Sequence, residues 1–276
     1  MALRDQDLQR AAMSSHATAS GQPVESTVWP DLVAALALVG LGIAFFWKMT
    51  FTGLILPRGD TFAYFYPYWD YRNAIMRAGR LPLWNPYLFM GVPLLANSQA
   101  GVLYPPNWPL IGLDAPVAVK AAIISHIVWA AVGMYVFARR TLSLRVLGAI
   151  LAAAVFALGG YLTAQVEHVN QLQGLAWLPW LFWFWSEATA GRPRMVLWLA
   201  IGMAMQLLAG HTQSAFISGI GLGAWAVWQT AFPASAGGAN WKVRGWPLLA
   251  LALAALFALG LAAAQILPTL ELTRLS

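Results

Sequence analysis

A few polar side chains stand out from an otherwise apolar sequence: Asp60, Asp70, Glu167, His168, Asn170, His211, Gln213, Gln265 and Glu271. Asp60 follows Pro57-Arg58-Gly59, where Pro and Gly break a helix and leave an acid at its end. An acid held there is suited to take a proton from an attacking hydroxyl as a general base. The same residue also suits a helix cap or an ion pair with Arg58. Glu167 and His168 are adjacent, so Glu167 could accept a proton, orient His168, or share a divalent cation with Asn170. The spacing lacks the HExxH pattern of a zinc hydrolase, and the alternative is a hydrophilic turn. Gly210-His211-Thr212-Gln213 offers hydrogen bonds to a phosphate or a sugar, or is a plain polar connection. His126 is the one ionisable residue near the middle of an apolar stretch; the reading preferred for it is a neutral imidazole bonded to a neighbouring helix, outside the site.

A long segment, about 50–115, surrounds Asp60. Residues 61–79 hold Phe62, Tyr64, Phe65, Tyr66, Tyr68, Trp69 and Tyr71, then Arg72 and Arg77. Phe62, Phe65, Tyr66 and Trp69 share one helical face, which predicts a helix lying in the headgroup layer; an interfacial aromatic belt with no substrate fits as well. Further on come Leu81-Pro82-Leu83-Trp84-Asn85-Pro86, then Asn97-Ser98-Gln99, then Tyr104-Pro105-Pro106-Asn107-Trp108-Pro109. Prolines at this density forbid regular helix. Aromatic faces stack on sugar rings and amides both donate to and accept from hydroxyls, so a carbohydrate-handling loop is one reading. A proline-locked cap that binds nothing is the other.

The elements that must position these residues follow from composition. The 276 residues are 60% apolar and 9% charged, with mean hydropathy +0.63, 15 Trp and no Cys. Soluble domains carry roughly 25% charged residues. Sixteen basic and ten acidic side chains cannot cover a soluble surface of this size, which excludes a cytosolic enzyme, a disulfide-stapled secreted domain and a thiol-ligated metal site. The pattern is that of a polytopic, all-α transmembrane bundle. Seven spans are predicted at about 29–49, 116–138, 146–163, 172–186, 195–209, 214–232 and 247–267, the fourth and fifth short. Residues 1–28 read as a flexible cytoplasmic tail and 29–276 as the bundle, with 234–245 a Gly/Ala/Ser-rich loop. The mixed-charge leader and the lack of a small-x-small site argue against a cleaved signal peptide. The chain stops just after the seventh span and is expected to continue further.

Arg139, Arg140 and Arg145, then Arg192 and Arg194, then Lys242 and Arg244 fall in alternate connections; the others, 165–171 and 210–213, have no Lys or Arg. By the positive-inside rule the N-terminus and the basic loops are cytoplasmic, and the candidate residues face outward. The net charge of +6 thereby reflects topology and is not a nucleic-acid signal.

The series Gly59-Asp60…Tyr66-Pro67…Arg80-Leu81-Pro82-Leu83-Trp84-Asn85-Pro86…Gly91-Val92-Pro93…Tyr104-Pro105-Pro106-Asn107 resembles the YfhO family of bacterial membrane proteins. Gly210-His211-Thr212-Gln213 and Gln265-Ile266-Leu267-Pro268-Thr269-Leu270-Glu271 look like that family too. Its members are usually longer, so the chain would be an N-terminal portion. The family is similar to the GT-C glycosyltransferases, whose first outer-loop acid activates the acceptor; by position Asp60 matches it. The resemblance implies a multi-pass enzyme of the bacterial plasma (inner) membrane. Its donor would be a polyprenyl-phosphate sugar, its acceptor a cell-envelope glycan or lipid, and transfer would invert the anomeric centre. The substrate-binding residues expected are Arg58, Arg72, Tyr66, Trp84, Asn85, Asn97, Gln99, Glu167, His168, His211 and Gln213. Arg58 or Arg72 would pair with the lipid phosphate. The second-loop acid pair of many GT-C members is absent, with Glu167-His168 in its place. No cofactor is firmly implied; a divalent cation is compatible with Glu167 and Asn170. A non-enzymatic envelope-lipid transporter or flippase, or a scaffold subunit, are the alternatives.

Overall fold

A computed structural model of the chain describes residues 28–56, 59–233 and 241–275. The tail 1–27, Arg58 and most of the 234–245 loop lie outside the described residues. Contacts divide the chain into two units, 1–33 and 34–276. Of the first only residues 28–33, the opening turns of a helix, are described.

Among the described residues the structure is helical, with no strand beyond one isolated bridge between Asn85 and Val92. The helices are α1 (Val28–Phe45), α2 (Trp47–Phe51), α3 (Tyr66–Arg77), α4 (Ala115–Arg140), α5 (Val146–Leu158), α6 (Gly160–Ala164), α7 (Val169–Leu175), α8 (Leu178–Thr189), α9 (Met195–Leu208), α10 (Thr212–Ala231) and α11 (Trp241–Leu275). A π-helical turn, Thr61–Phe65, runs directly into α3, and short 3₁₀ turns lie at Ser98–Ala100, Pro105–Leu110 and Gln165–Glu167.

Four of these segments are long and apolar enough to cross a membrane: Val28–Phe45, Ala115–Arg140, Val146–Glu167 and Arg244–Leu275. The other three predicted spans differ in form. The stretch 172–186 is divided between α7 and α8. Pro179 in the first turn of α8 has no N–H with which to continue α7. Helix α9 is apolar but has 14 residues, about 21 Å at 1.5 Å per residue. Helix α10 has 20 residues, but Thr212, Gln213, Ser214, Ser218, Gln229 and Thr230 dilute its apolar character.

Close helix packing comes from alanine at four-residue spacing. Ala149, Ala153 and Ala157 on α5 are fully buried in the cluster that holds Ala122, Ile123 and Ala130 of α4. Ala250, Ala254, Ala258 and Ala262 form the buried stripe of α11. Small residues let backbones approach, the usual basis of helix association where lipid supplies no hydrophobic drive. Outward faces carry Leu147, Leu151 and Val155 on α5, Phe216, Ile220 and Val227 on α10, and Leu256 and Leu261 on α11, all exposed and suited to lipid.

The two ends of the 34–276 unit differ in charge. At one end Phe137 packs edge-on to Phe182, Gln229 bonds Thr189, and the Trp246 indole donates to the Ala188 carbonyl. These contacts gather the connections bearing Arg139, Arg140, Arg145, Arg192, Arg194 and Arg244. At the other end Asn170 donates to the Gly210 carbonyl, Trp177 to the Tyr104 hydroxyl and Gln265 to the Leu95 carbonyl, gathering the connections that hold the candidate residues.

The aromatic face predicted for 61–79 is largely turned inward. Phe65, Tyr66 and Trp69 are buried in the core cluster around α4, and only Phe62 stays exposed.

Candidate functional site

Three separate connections meet at the polar end. The π-helical turn is latched to the 165–167 turn by the Thr61 hydroxyl, which lies 3.3 Å from the Val166 carbonyl and 3.4 Å from that of Glu167. Gly59 takes φ +54 with the Glu167 carboxylate against it; a Cβ there would come within 2.4 Å of Oε2. That contact and the left-handed backbone both require glycine. The latch carries Asp60 to His168, with Oδ2 3.6 Å from Nε2. The Asp60 side chain is 60% exposed and that of His168 48% exposed, so the pair opens on solvent.

His211 enters from the third connection. Its Nδ1 is 2.7 Å from the Ser214 hydroxyl and accepts from the Ser214 amide, capping α10. Burial and, after it, the nearby His168 hold its pKa below the usual imidazole value. The connection is pinned from below: Gly210 has φ +84, and a Cβ on it would fall 2.1 Å from the Ser98 carbonyl oxygen. Its own carbonyl accepts from Asn170 at 3.4 Å and Ser98 at 3.5 Å. Asn97 donates to the Tyr64 hydroxyl at 2.7 Å, and Tyr64 stacks on Tyr68. Burial, then Tyr68, push the Tyr64 hydroxyl pKa up, so Tyr64 stays protonated.

The structure thus brings together Asp60, Glu167, His168 and His211, with Ser98 and Asn170 as struts between the connections and Asn97 bracing the first of them from within. Gln99 and Gln213 are exposed on the same connections. Other expected residues are placed elsewhere. Arg72 is 1% exposed: Nε and Nη2 donate to Asn73 Oδ1, Nη1 donates to the Ala100 carbonyl at 3.0 Å, and the guanidinium lies over the Trp69 ring. Burial lowers its pKa to about 9, which leaves it charged at neutral pH. Tyr66 is buried and its hydroxyl accepts from the Leu56 amide. Trp84 and Asn85 sit in a turn beside the end of α11, Asn85 buried in the bridge to Val92. Arg58 lies outside the described residues. Asn170 spends its amide on Gly210, and among the described residues no group of three or more His, Asp or Glu gathers as metal ligands would.

Several supports of the site fall outside the expected substrate-binding set. Gln265 and Thr269 of α11 donate to the Leu95 and Ala96 carbonyls, and Gln173 of α7 donates to the Asn107 amide oxygen at 2.7 Å. Gln265 and Thr269 lie in a motif already singled out, whereas for Gln173 a polar residue inside an apolar run is the signal. His126 closes a buried chain. Its Nδ1 must donate to the Ala122 carbonyl, so Nε2 accepts from Tyr104, whose oxygen accepts from Trp177. The imidazole is bonded, but to its own helix and to Tyr104 of the proline-rich segment rather than to a neighbouring helix.

The described chain is therefore an all-helical protein with helices able to cross a membrane and a polar cluster assembled from three connections at one end. Comparison with family models, with curated proteins and with solved structures finds no match.

Proposed function

We propose that the chain is a membrane glycosyltransferase of the YfhO type. It would move a sugar from a polyprenyl-phosphate donor to a cell-envelope acceptor on the outer face of the bacterial inner membrane. The observation that carries this reading is the convergence of Asp60, Glu167, His168 and His211 from three connections, of which 165–171 and 210–213 have no Lys or Arg. The fold that goes with it is a GT-C-like bundle of seven spans, with α8, α9 and α10 completing the four longer segments and the N-terminus cytoplasmic. The separation of a basic end from the polar end supports that orientation.

In the proposed reaction an acceptor hydroxyl stands between Asp60 and the anomeric carbon. Asp60 takes its proton as the oxygen attacks from the face opposite the phosphate. The carbon–oxygen bond to phosphate breaks, and polyprenyl phosphate departs with the electron pair, so the anomeric configuration inverts. His168 holds the carboxylate in place, and His211 offers a ring nitrogen at the same rim. A carrier across the membrane would instead need unspent polar groups at mid-depth. Gln206 is bonded to the Gly174 carbonyl and to Ser218, and His126 to Ala122 and Tyr104. The test is sugar transfer from a polyprenyl-phosphate sugar by membranes carrying the full chain. Asp60→Asn should abolish transfer with membrane insertion unchanged; full activity in that variant overturns the reading.

A further inference from the structure

Residues 81–113 contain no Asp, Glu, Lys, Arg or His. A connection in water would carry about one charge in four residues. At its tip the chain turns back through Asn85 and Val92, which exchange backbone hydrogen bonds of 2.8 and 2.9 Å, with Gly91 donating to the Leu88 carbonyl at 2.7 Å. Phe89 and Met90 occupy that tip with φ of +48 and +63. Asn or Gly would hold a left-handed backbone at less cost. Here two large apolar side chains are held there instead, Phe89 88% exposed and Met90 wholly so.

The tip is rigidly mounted. The Tyr87 amide donates to the Asn85 side chain, and Tyr71 donates to the Trp84 carbonyl at 2.8 Å and meets the Tyr87 ring edge-on. Gly91 has φ +119 and lies under the Trp84 indole, where a Cβ would come within 2.4 Å of the ring. Strain that presents apolar side chains to the outside points to something apolar that receives them.

Its level in the fold identifies the receiver. The turn rests on the last turns of α11: Leu83, Trp84, Pro93 and Leu95 share a cavity with Pro268 and Leu272. The spanning stretch Arg244–Leu275 has 32 residues, about 48 Å, against a hydrocarbon core of about 30 Å. With Arg244 at one boundary, the other falls near Gln265, the residue that holds the Leu95 carbonyl. Exposed Leu267 and Leu270 of α11 and exposed Leu81 and Leu83 of the loop continue the apolar surface at this depth. Arg77 and Arg80, both exposed, stand before the uncharged stretch where phosphates would lie.

We propose that Tyr87–Phe89–Met90 is an anchor that inserts into the interfacial layer of the bilayer crossed by α11, with Arg77 and Arg80 against lipid phosphates. The partner is a phospholipid leaflet, whatever reaction the polar cluster performs. Because the chain has no Cys, Phe89→Cys and Met90→Cys can each carry one environment-sensitive fluorophore on the full chain in phosphatidylcholine–phosphatidylglycerol vesicles. Both positions already hold L side chains at positive φ, so cysteine adds no backbone strain, and the two report independently. Asp114→Cys, exposed and charged in the native chain, is the aqueous reference. Quenching by doxyl-labelled lipid should be roughly threefold or more stronger at 89 and 90 than at 114, and quenching by iodide correspondingly weaker. Iodide quenching at 89 and 90 equal to that at 114 would place the tip in water and overturn the proposal. Labels shielded from both quenchers would overturn it too, showing the tip covered by a second copy or another protein.

Discussion

Asp60 and His168 lie 3.6 Å apart, carboxylate oxygen to imidazole Nε2, although they belong to different connections of the bundle. The contact exists because Thr61, one residue on, is bonded to the backbone of the Gln165–Glu167 turn. The position of the acid is thus fixed by its chain neighbour, while its face stays open to solvent.

On the proposed reaction the two residues are unequal. Asp60→Asn removes the proton acceptor and should lower kcat by roughly 10²–10⁴-fold, the usual weight of a general base. His168→Asn leaves the carboxylate present but less well held, so its loss should be smaller. Transfer rates of the two variants in the same membranes test the order; an equal or larger loss in His168→Asn would reverse the roles.

His211 gives a pH dependence of stability. Its folded pKa is depressed by burial and by His168. The unfolded chain therefore takes up the proton first as pH falls. Stability should drop from the ordinary histidine value of about 6.5 downward until the folded pKa is passed, and level off below it. His211→Asn keeps an acceptor for the Ser214 amide and should flatten that slope. Thermal midpoints recorded between about pH 7 and pH 5 show it, and parallel slopes in both proteins would remove His211 as the cause.

Arg72 separates a structural from a ligand role. By sequence it is offered, as the alternative to Arg58, to a lipid phosphate, whereas its donors are occupied by Ala100 and Asn73 inside the fold. Arg72→Met should cost about 2–4 kcal/mol, because the Ala100 carbonyl and the Asn73 amide oxygen lose their donors while buried. Lysine should recover only part, having no planar fork. A variant with a wild-type melting midpoint and a raised KM for donor would restore the ligand role.

How much of this was legible in the sequence depends on the kind of signal. The helical class and the spans at 116–138 and 247–267 follow from apolar runs, which report on the solvent around a segment and need no tertiary knowledge. The motifs of the long first segment mark where polar residues collect, but not which of them meet. Asp60 and His168 are joined by Thr61 bonding to two carbonyls, and a backbone carbonyl has no sequence signature. By sequence Arg72 and Tyr66 fall among the expected substrate-binding residues, because cationic and aromatic residues on a helix look alike whether the face is wet or packed. The structure packs Tyr66 into the cluster around α4 and turns Arg72 to the Ala100 carbonyl and Asn73. The break between α7 and α8 was readable at Pro179, but an apolar run on both sides hid it.

Gly210 and Gly79 offer a paired test of how the connections are held. Both have positive φ, +84 and +70. A Cβ on Gly79 meets nothing within 4 Å, whereas one on Gly210 would lie 2.1 Å from the Ser98 oxygen and 2.9 Å from the Gln99 Cα. Gly79→Ala should therefore cost only the left-handed backbone, about 1–2 kcal/mol. Gly210→Ala carries the same backbone cost and must also push two connections apart, because the opposing atoms are main chain and cannot swing aside. Its loss should exceed that of Gly79→Ala by about 1–3 kcal/mol, the range of overpacking in a filled interior. The displacement also acts on function, since Ser98 and Asn170 both bond the Gly210 carbonyl and His211 follows it directly. Melting midpoints in detergent and transfer rates in membranes should fall together for Gly210→Ala, while Gly79→Ala loses stability alone. Equal destabilisation by the two substitutions would mean that the 210–213 connection does not rest on Ser98.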